Sequence, residues 1–207
     1  MNAVDLLKEQ HREVNQLFTR FERAKRSDEK QKIFLDLAAR LVAHDAIERE
    51  IFYPACERVL GKSEPLMEGI AEHGLMEFSI FRADKARDSE PFDYLVTVLR
   101  EIVQHHIEEE ESEILPEAAS HMGEDMLEAL GKTMTKRYAA SMEGDFRLPL
   151  RKNLEQVVSG RAKAAKRPAR TARPGARAGA RKGAVARKTT VKAVRPRAKR
   201  RTSRQAR

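Results

Sequence analysis

HDAIEREIFYP, residues 44–54, returns sixty-two positions later as HIEEEESEILP, residues 106–116. Each copy sets a histidine, a glutamate four residues on and a proline ten residues after the histidine. On a helix, positions i and i+4 share one face. His44 and Glu48 therefore point the same way, and so do His106 and Glu110. A nitrogen donor beside a carboxylate, supplied twice, is how a helix bundle holds a pair of metal ions.

The repeat is wider than the two motifs. His11 and His73 are also sixty-two residues apart, as are Pro54 and Pro116. Helices 1–2 and helices 3–4 thus read as two copies of one hairpin. The first stripe is Val4, Leu7, His11, Val14, Phe18 and Phe21. The second is Ile33, Leu37, Leu41, His44, Glu48 and Phe52. Leu66, Ile70, His73, Met76 and Ile80 make the third. Leu95, Leu99, Ile102, Val103, His106 and Glu110 make the fourth. Ser27 is expected to cap the second helix, and Pro54 and Pro116 to kink or end the helices they follow.

One inward histidine per helix plus two glutamates one turn on is what a dinuclear site needs. Histidine nitrogens cap each ion and the carboxylates bridge. A lone inward histidine is more often a hydrogen-bonded core residue. Two charged glutamates on apolar stripes, however, cost several kcal/mol each without partners. His105–Glu109 has the same spacing as His106–Glu110, but only His106 follows Leu99, Ile102 and Val103 on its face. The repeat selects His106 as well. His105 is expected at the flank and His121 on the surface.

Aromatic residues make up 5% of the chain and charged residues 35%, which suits helices. The net charge of +9 hides two unlike parts. Residues 1–150 carry 20 basic and 31 acidic side chains, a net −11. Residues 151–207 carry 21 basic and one acidic, Glu155, a net +20. The single cysteine, Cys56, excludes an intrachain disulfide and reads as a buried, inert thiol, with an exposed redox sensor as the alternative. No signal-peptide pattern and no membrane-length apolar run is present, so a cytoplasmic protein is expected.

A fifth helical pattern spans about 123–142, with Met126, Leu130, Met134 and Tyr138 in line. The fold expected is all-α: an up-down-up-down four-helix bundle with an additional C-terminal helix, followed by a disordered basic tail. Its parts are a bundle over 1–145, a linker over 146–159 and a tail over 160–207.

These motifs resemble the hemerythrin-like, or HHE cation-binding, family. The resemblance covers residues 1 to about 145. It rests on DLLKEQH before His11, HDAIEREIFYP, the Glu72–His73 pair and HIEEEESEILP. It implies a four-helix bundle with a non-haem di-iron centre, two iron ions held by His11, His44, His73 and His106 and bridged by Glu48 and Glu110. The O₂-carrying hemerythrins have a fifth histidine one turn after the third-helix ligand; this chain has Glu77 there. Glu77 is either a further ligand or an outer acid. A carboxylate favours the ferric state more than imidazole does, which puts reversible O₂ carriage in doubt. O₂, nitric oxide, peroxide and iron remain the candidate small ligands.

From about Gly160 the chain is Ala, Lys, Arg, Pro and Gly with few large apolar side chains. Such a segment cannot offset its ordering entropy and is expected to be disordered alone. Its charge suits nonspecific nucleic acid through counterion release. It has no aromatic to stack bases. It resembles the tails of linker histones and bacterial histone-like proteins. RNA, an anionic membrane surface and the acidic bundle itself are the alternative partners. The function expected is a sensor or redox-stress protein with a di-iron centre tethered to nucleic acid, which would make it nucleoid-associated. A peroxidase, catalase-like or ferroxidase enzyme protecting DNA is one alternative. A DNA-compacting protein with a structural metal bundle is another.

Overall fold

Asn2 opens the first helix by accepting the backbone N–H of Asp5 on its side-chain oxygen at 2.9 Å. This is a computed structural model that describes residues 1–158. Helix α1 runs Ala3–Arg23 and turns through a short link into α2, Ser27–Ile47. Ser27, expected as the cap, is instead the first helical residue. Arg26 takes the cap position and its guanidinium holds Asp28 in the first turn.

Pro54 does not end the second helix. A proline ring conflicts with the carbonyl four residues back and has no N–H to give. Here the chain widens into a π-helical turn, Glu48–Phe52, in which Tyr53 N–H reaches five residues back to the carbonyl of Glu48. Helix α3, Tyr53–Leu60, then continues with Pro54 in its first turn. Gly61, at φ +81°, makes the turn that follows, a conformation suited to glycine. The second copy repeats the device. Helices α4, Glu64–Lys85, and α5, Phe92–Glu109, form the hairpin. A π turn at Glu110–Ile114 follows, with Leu115 N–H on the Glu110 carbonyl, and α6 spans Leu115–His121. Both π turns start on a glutamate of the repeated motif.

Helix α7, Glu124–Met142, packs on α1 and α2. Its buried face is Leu127, Gly131 and Met134, with Met126, Leu130 and Tyr138 half-buried beside it. Gly131 is required by a close approach: a Cβ there would meet the Met1 carbonyl at 2.5 Å. Arg137 anchors the same helix to the first π turn through both oxygens of Glu50, at 2.7 and 2.9 Å.

The segment expected as a linker, 146–159, is helical over Arg147–Val158, here α8. Phe146 and Leu150 are buried in the core and Leu154 packs against it. Arg147 binds both oxygens of Asp84 on α4, at 2.9 and 2.7 Å. Apolar residues four apart made a helical face that Pro149 disguised; in the first turn of a helix proline is tolerated. The expected tail, 160–207, lies outside the described residues.

Apolar packing falls into two clusters with a polar layer between. Val14, Phe18, Phe34, Leu37, Ile80, Leu99 and Val103 belong to one. Leu7, Ile47, Phe52, Leu66, Ile114 and Leu115 belong to the other. Three of the inward histidines sit in their helices where membership changes: His11 between Leu7 and Val14, His44 between Val42 and Ile47, and His73 between Leu66 and Met76; His106 lies between Val103 and Ile107 of the first cluster, ahead of Ile114 of the second. Ile70, expected inward, is exposed. Gly69 is buried in its place and leaves room for the Tyr53 hydroxyl, 3.4 Å from where a Cβ would stand.

Candidate metal centre

The four histidines expected from the repeat meet in the polar layer, all buried, with Glu48 and Glu110 fully buried among them. Their donors form two groups, each with all its donor atoms within 4.8 Å of one another. One is His11, His44, Glu48 and Glu110. The other is Glu48, His73 and His106. His44 Nε2 lies 2.9 Å from one Glu48 oxygen, and His73 Nε2 lies 3.2 Å from the other. His11 Nε2 lies 3.2 Å from Glu110. The rings pair edge to face within each hairpin, His11 with His44 at 5.0 Å between centroids and His73 with His106 at 4.7 Å. Two carboxylates and four imidazoles in an apolar interior cost several kcal/mol without compensating partners.

The residues fit cations. His11 Nε2, His44 Nε2 and both oxygens of Glu48 and of Glu110 are buried and make no hydrogen bond. They lie close to one another but in no hydrogen-bonding geometry, and native interiors leave few such atoms unsatisfied. His73 and His106 bring their Nε2 atoms within 3.1 Å, unfavourable for two lone pairs unless a proton or a cation lies between.

Every histidine is oriented from behind. The Nδ1 hydrogen of His44 goes to Gln10 at 2.7 Å, of His106 to Glu72 at 2.9 Å, and of His11 to Glu111 at 2.8 Å. His73 donates to Asp45. Such partners fix the tautomer that turns Nε2 inward and raise the basicity of the ring. In this pocket the neighbouring carboxylates also draw protons. Burial alone would lower the pKa of His11, but Glu110 raises it to about 8. Burial opposes the same change at His73, where Asp45 and Glu48 raise it to about 10.

Glu77 is not brought into either group. Its Oε1 lies 2.5 Å from the amide of Asn153 on α8 and 3.3 Å from Arg49, which also holds Asp45 at 2.7 Å. His105 stands at the flank, its side chain 63% exposed, 3.1 Å from Glu109 and 3.5 Å from Glu72. His121 is exposed. Cys56 is buried.

Sequence reasoning missed Tyr53, whose hydroxyl reaches within 3.1 Å of His73 Nε2. Its copy in the repeat is Leu115, so the repeat carried no signal for it. It gave no role to Gln10 and Glu72, although these too are sixty-two residues apart. A cavity of about 20 Å³ is lined by the four histidines, by Asp45 and Glu77, and by Val14, Leu41, Met76, Ile80 and Val103. That is room for one water-sized molecule.

The model of the hemerythrin HHE cation-binding domain matches residues 2–118. A crystal structure of a hemerythrin HHE cation-binding-domain protein from Mycobacterium kansasii overlays at a TM-score of 0.62. The overlay covers 79% of this chain and 94% of that one at 21% identity, a likeness of fold. A DNA nickase of Nostoc sp. is 26% identical over 129 residues, 62% of this chain. The chain spans 36% of that relative's length.

Proposed function

Because the chain belongs to the hemerythrin HHE cation-binding family, we propose that its bundle holds two iron ions and binds a diatomic ligand there, as a sensor or redox-stress protein tethered to nucleic acid. The observation that carries this reading is the set of six buried inward atoms that make no hydrogen bond although they lie close together: Nε2 of His11 and His44 and the four oxygens of Glu48 and Glu110. His11 and His44 would hold one ion and His73 and His106 the other, with Glu48 and Glu110 as the carboxylates available to both. Iron so bound would supply one-electron redox chemistry and an open position for a small ligand.

The protein's own residues do the rest. Asp45, Gln10, Glu72 and Glu111 hold the imidazoles in place. Val14, Met76, Ile80 and Val103 supply the apolar part of the small cavity that the four histidines, Asp45 and Glu77 also line, and its size suits O₂ or nitric oxide better than a larger substrate. Glu77 we assign to an outer role, ion-paired to Arg49 beside the ligands.

Iron content and the optical spectrum in air, after reduction and after nitric oxide or peroxide test the reading. Two iron ions per chain, lost in His106→Ala, are expected. Protein without iron, or iron unaffected by that change, overturns it. Steady consumption of peroxide or ferrous iron, abolished in Glu110→Ala, would make the centre an enzyme's instead. The net charge of +20 in residues 151–207 supports the tether. The DNA nickase relative is in keeping with a place on DNA, though the match covers 36% of it. The full chain is expected to shift arbitrary duplex DNA with steep salt dependence, and residues 1–158 alone to leave it unshifted.

A further inference from the structure

The sixty-two-residue repeat does not stop at the inward ligands. Gln10 and Glu72 occupy equivalent positions, each one residue before its hairpin's first histidine. Each accepts the Nδ1 hydrogen of the second histidine of its hairpin, Gln10 from His44 at 2.7 Å and Glu72 from His106 at 2.9 Å. The geometry is the same and the charge is not. We propose that this difference in charge makes the two ion positions unequal, with the His73–His106 position binding first and more tightly than the His11–His44 position. The inference rests on the two-ion reading above.

An imidazole whose far N–H is held by a carboxylate is a stronger donor than one held by a neutral amide, and outer partners of this kind change metal affinity by about 10–100-fold. The other pair of outer contacts does not reverse the order. Glu111, behind His11, has a side chain 38% exposed and is screened by water. Asp45, behind His73, is nearly buried but shares its charge with Arg49 at 2.7 Å. Both are anions weakened by their surroundings, one by solvent and one by a cation. The inner donors do not create this order, since Glu110 groups with His11 and His44; with both glutamates available to both ions on the two-ion reading, Gln10 against Glu72 is the contrast left among the outer partners. Glu72 is shielded by the protein, its side chain 15% exposed, so its charge acts on His106 at close range.

Anaerobic calorimetric titration of the metal-free full chain with ferrous iron reads the order directly. Wild type is expected to bind two ions in two resolved steps. Glu72→Gln, which keeps shape and loses charge, should weaken the first step about 10–100-fold and leave the second unchanged. Gln10→Glu should tighten the second step by a similar factor. The double exchange Q10E/E72Q should restore two resolved steps with the sides reversed. In wild type, His44→Ala then removes the weak step; in the exchanged protein it removes the tight one. Two ions bound in one step of equal affinity, or both steps weakened alike by Glu72→Gln, would overturn the inference while leaving the two-ion site standing. Uptake of fewer than two ions by wild type would overturn the two-ion reading, and this inference with it.

Discussion

The hydroxyl of Tyr53 stands 3.1 Å from Nε2 of His73, the atom that His73 turns toward the other inward donors. Burial first, and then the charges of Glu110 and Glu48, push the phenol pKa well above its usual value, so it keeps its proton. The phenol thus lies against the nitrogen that would face an ion, beside His106 and Glu48. Tyr53→Phe is expected to cost the metal-free protein about 0.5–1.5 kcal/mol, the net worth of one hydrogen bond. The variant should still take up two ions. Denaturant unfolding of metal-free protein and metal analysis of loaded protein check the two halves. Loss of half the metal would show that the phenol oxygen itself holds an ion.

The metal-free protein should lose stability as pH rises above neutrality. His11, at about 8, and His73, at about 10, both lie above the usual histidine value of 6.5. The folded state therefore binds these protons more tightly than the unfolded state. The stability they contribute is complete below pH 6.5 and fades as pH climbs through 8 and then 10. Metal binding runs the other way, because an imidazole must be neutral to ligate. Denaturation midpoints of metal-free protein at pH 6.5, 8 and 10 should fall in that order. Apparent ferrous affinity should rise over the same window, with protons released on loading.

Two glycines should answer the same substitution with opposite signs. At Gly69 an added Cβ meets the Tyr53 hydroxyl at 3.4 Å and a His106 ring carbon at 3.7 Å, ordinary contacts. Gly69→Ala should stabilise α4 by about 0.5–1 kcal/mol through backbone entropy. At Gly131 the Cβ would stand 2.5 Å from the Met1 carbonyl and 2.8 Å from the carbonyl carbon of Asn2, and backbone must move. Overpacking of that kind costs about 1–3 kcal/mol, more than the helix gains. Thermal melting of the two variants separates them.

Cys56 should behave as core. Burial, and then the charge of Glu110, push its thiol up to about 12, and its side chain is wholly enclosed. A thiol reagent at pH 8 is expected to leave the folded protein unlabelled and to label one equivalent after denaturation.

The register of the inward histidines was legible because geometry and repetition agreed. His11, His44, His73 and His106 fall on apolar stripes, and the offset of sixty-two chose His106 over His105. The fates of Pro54 and Pro116 were not legible, since a proline reads as a break when only i−4 bonding is considered. The π turns satisfy the backbone another way. Helix α8 was hidden because its apolar positions, Phe146, Leu150 and Leu154, stand among arginine, lysine and proline. Glu77 shows the other limit. Spacing placed it one turn from His73, but its direction depends on Arg49 and Asn153, which lie far away in sequence.

The two donor groups share an arrangement of parentage. Each takes both its histidines from one hairpin, and Glu48 of the first hairpin reaches the histidines of the second. A single hairpin thus owns two histidines and one glutamate, and two of them owe each other what is missing. One such hairpin, meeting a copy of itself across a twofold axis, would already assemble a complete and symmetric set of donors. The present chain reads as that dimer joined end to end. Once joined, its halves were free to differ, and Gln10 against Glu72, Asn15 against Glu77, Arg49 against Glu111 and Tyr53 against Leu115 mark where they did.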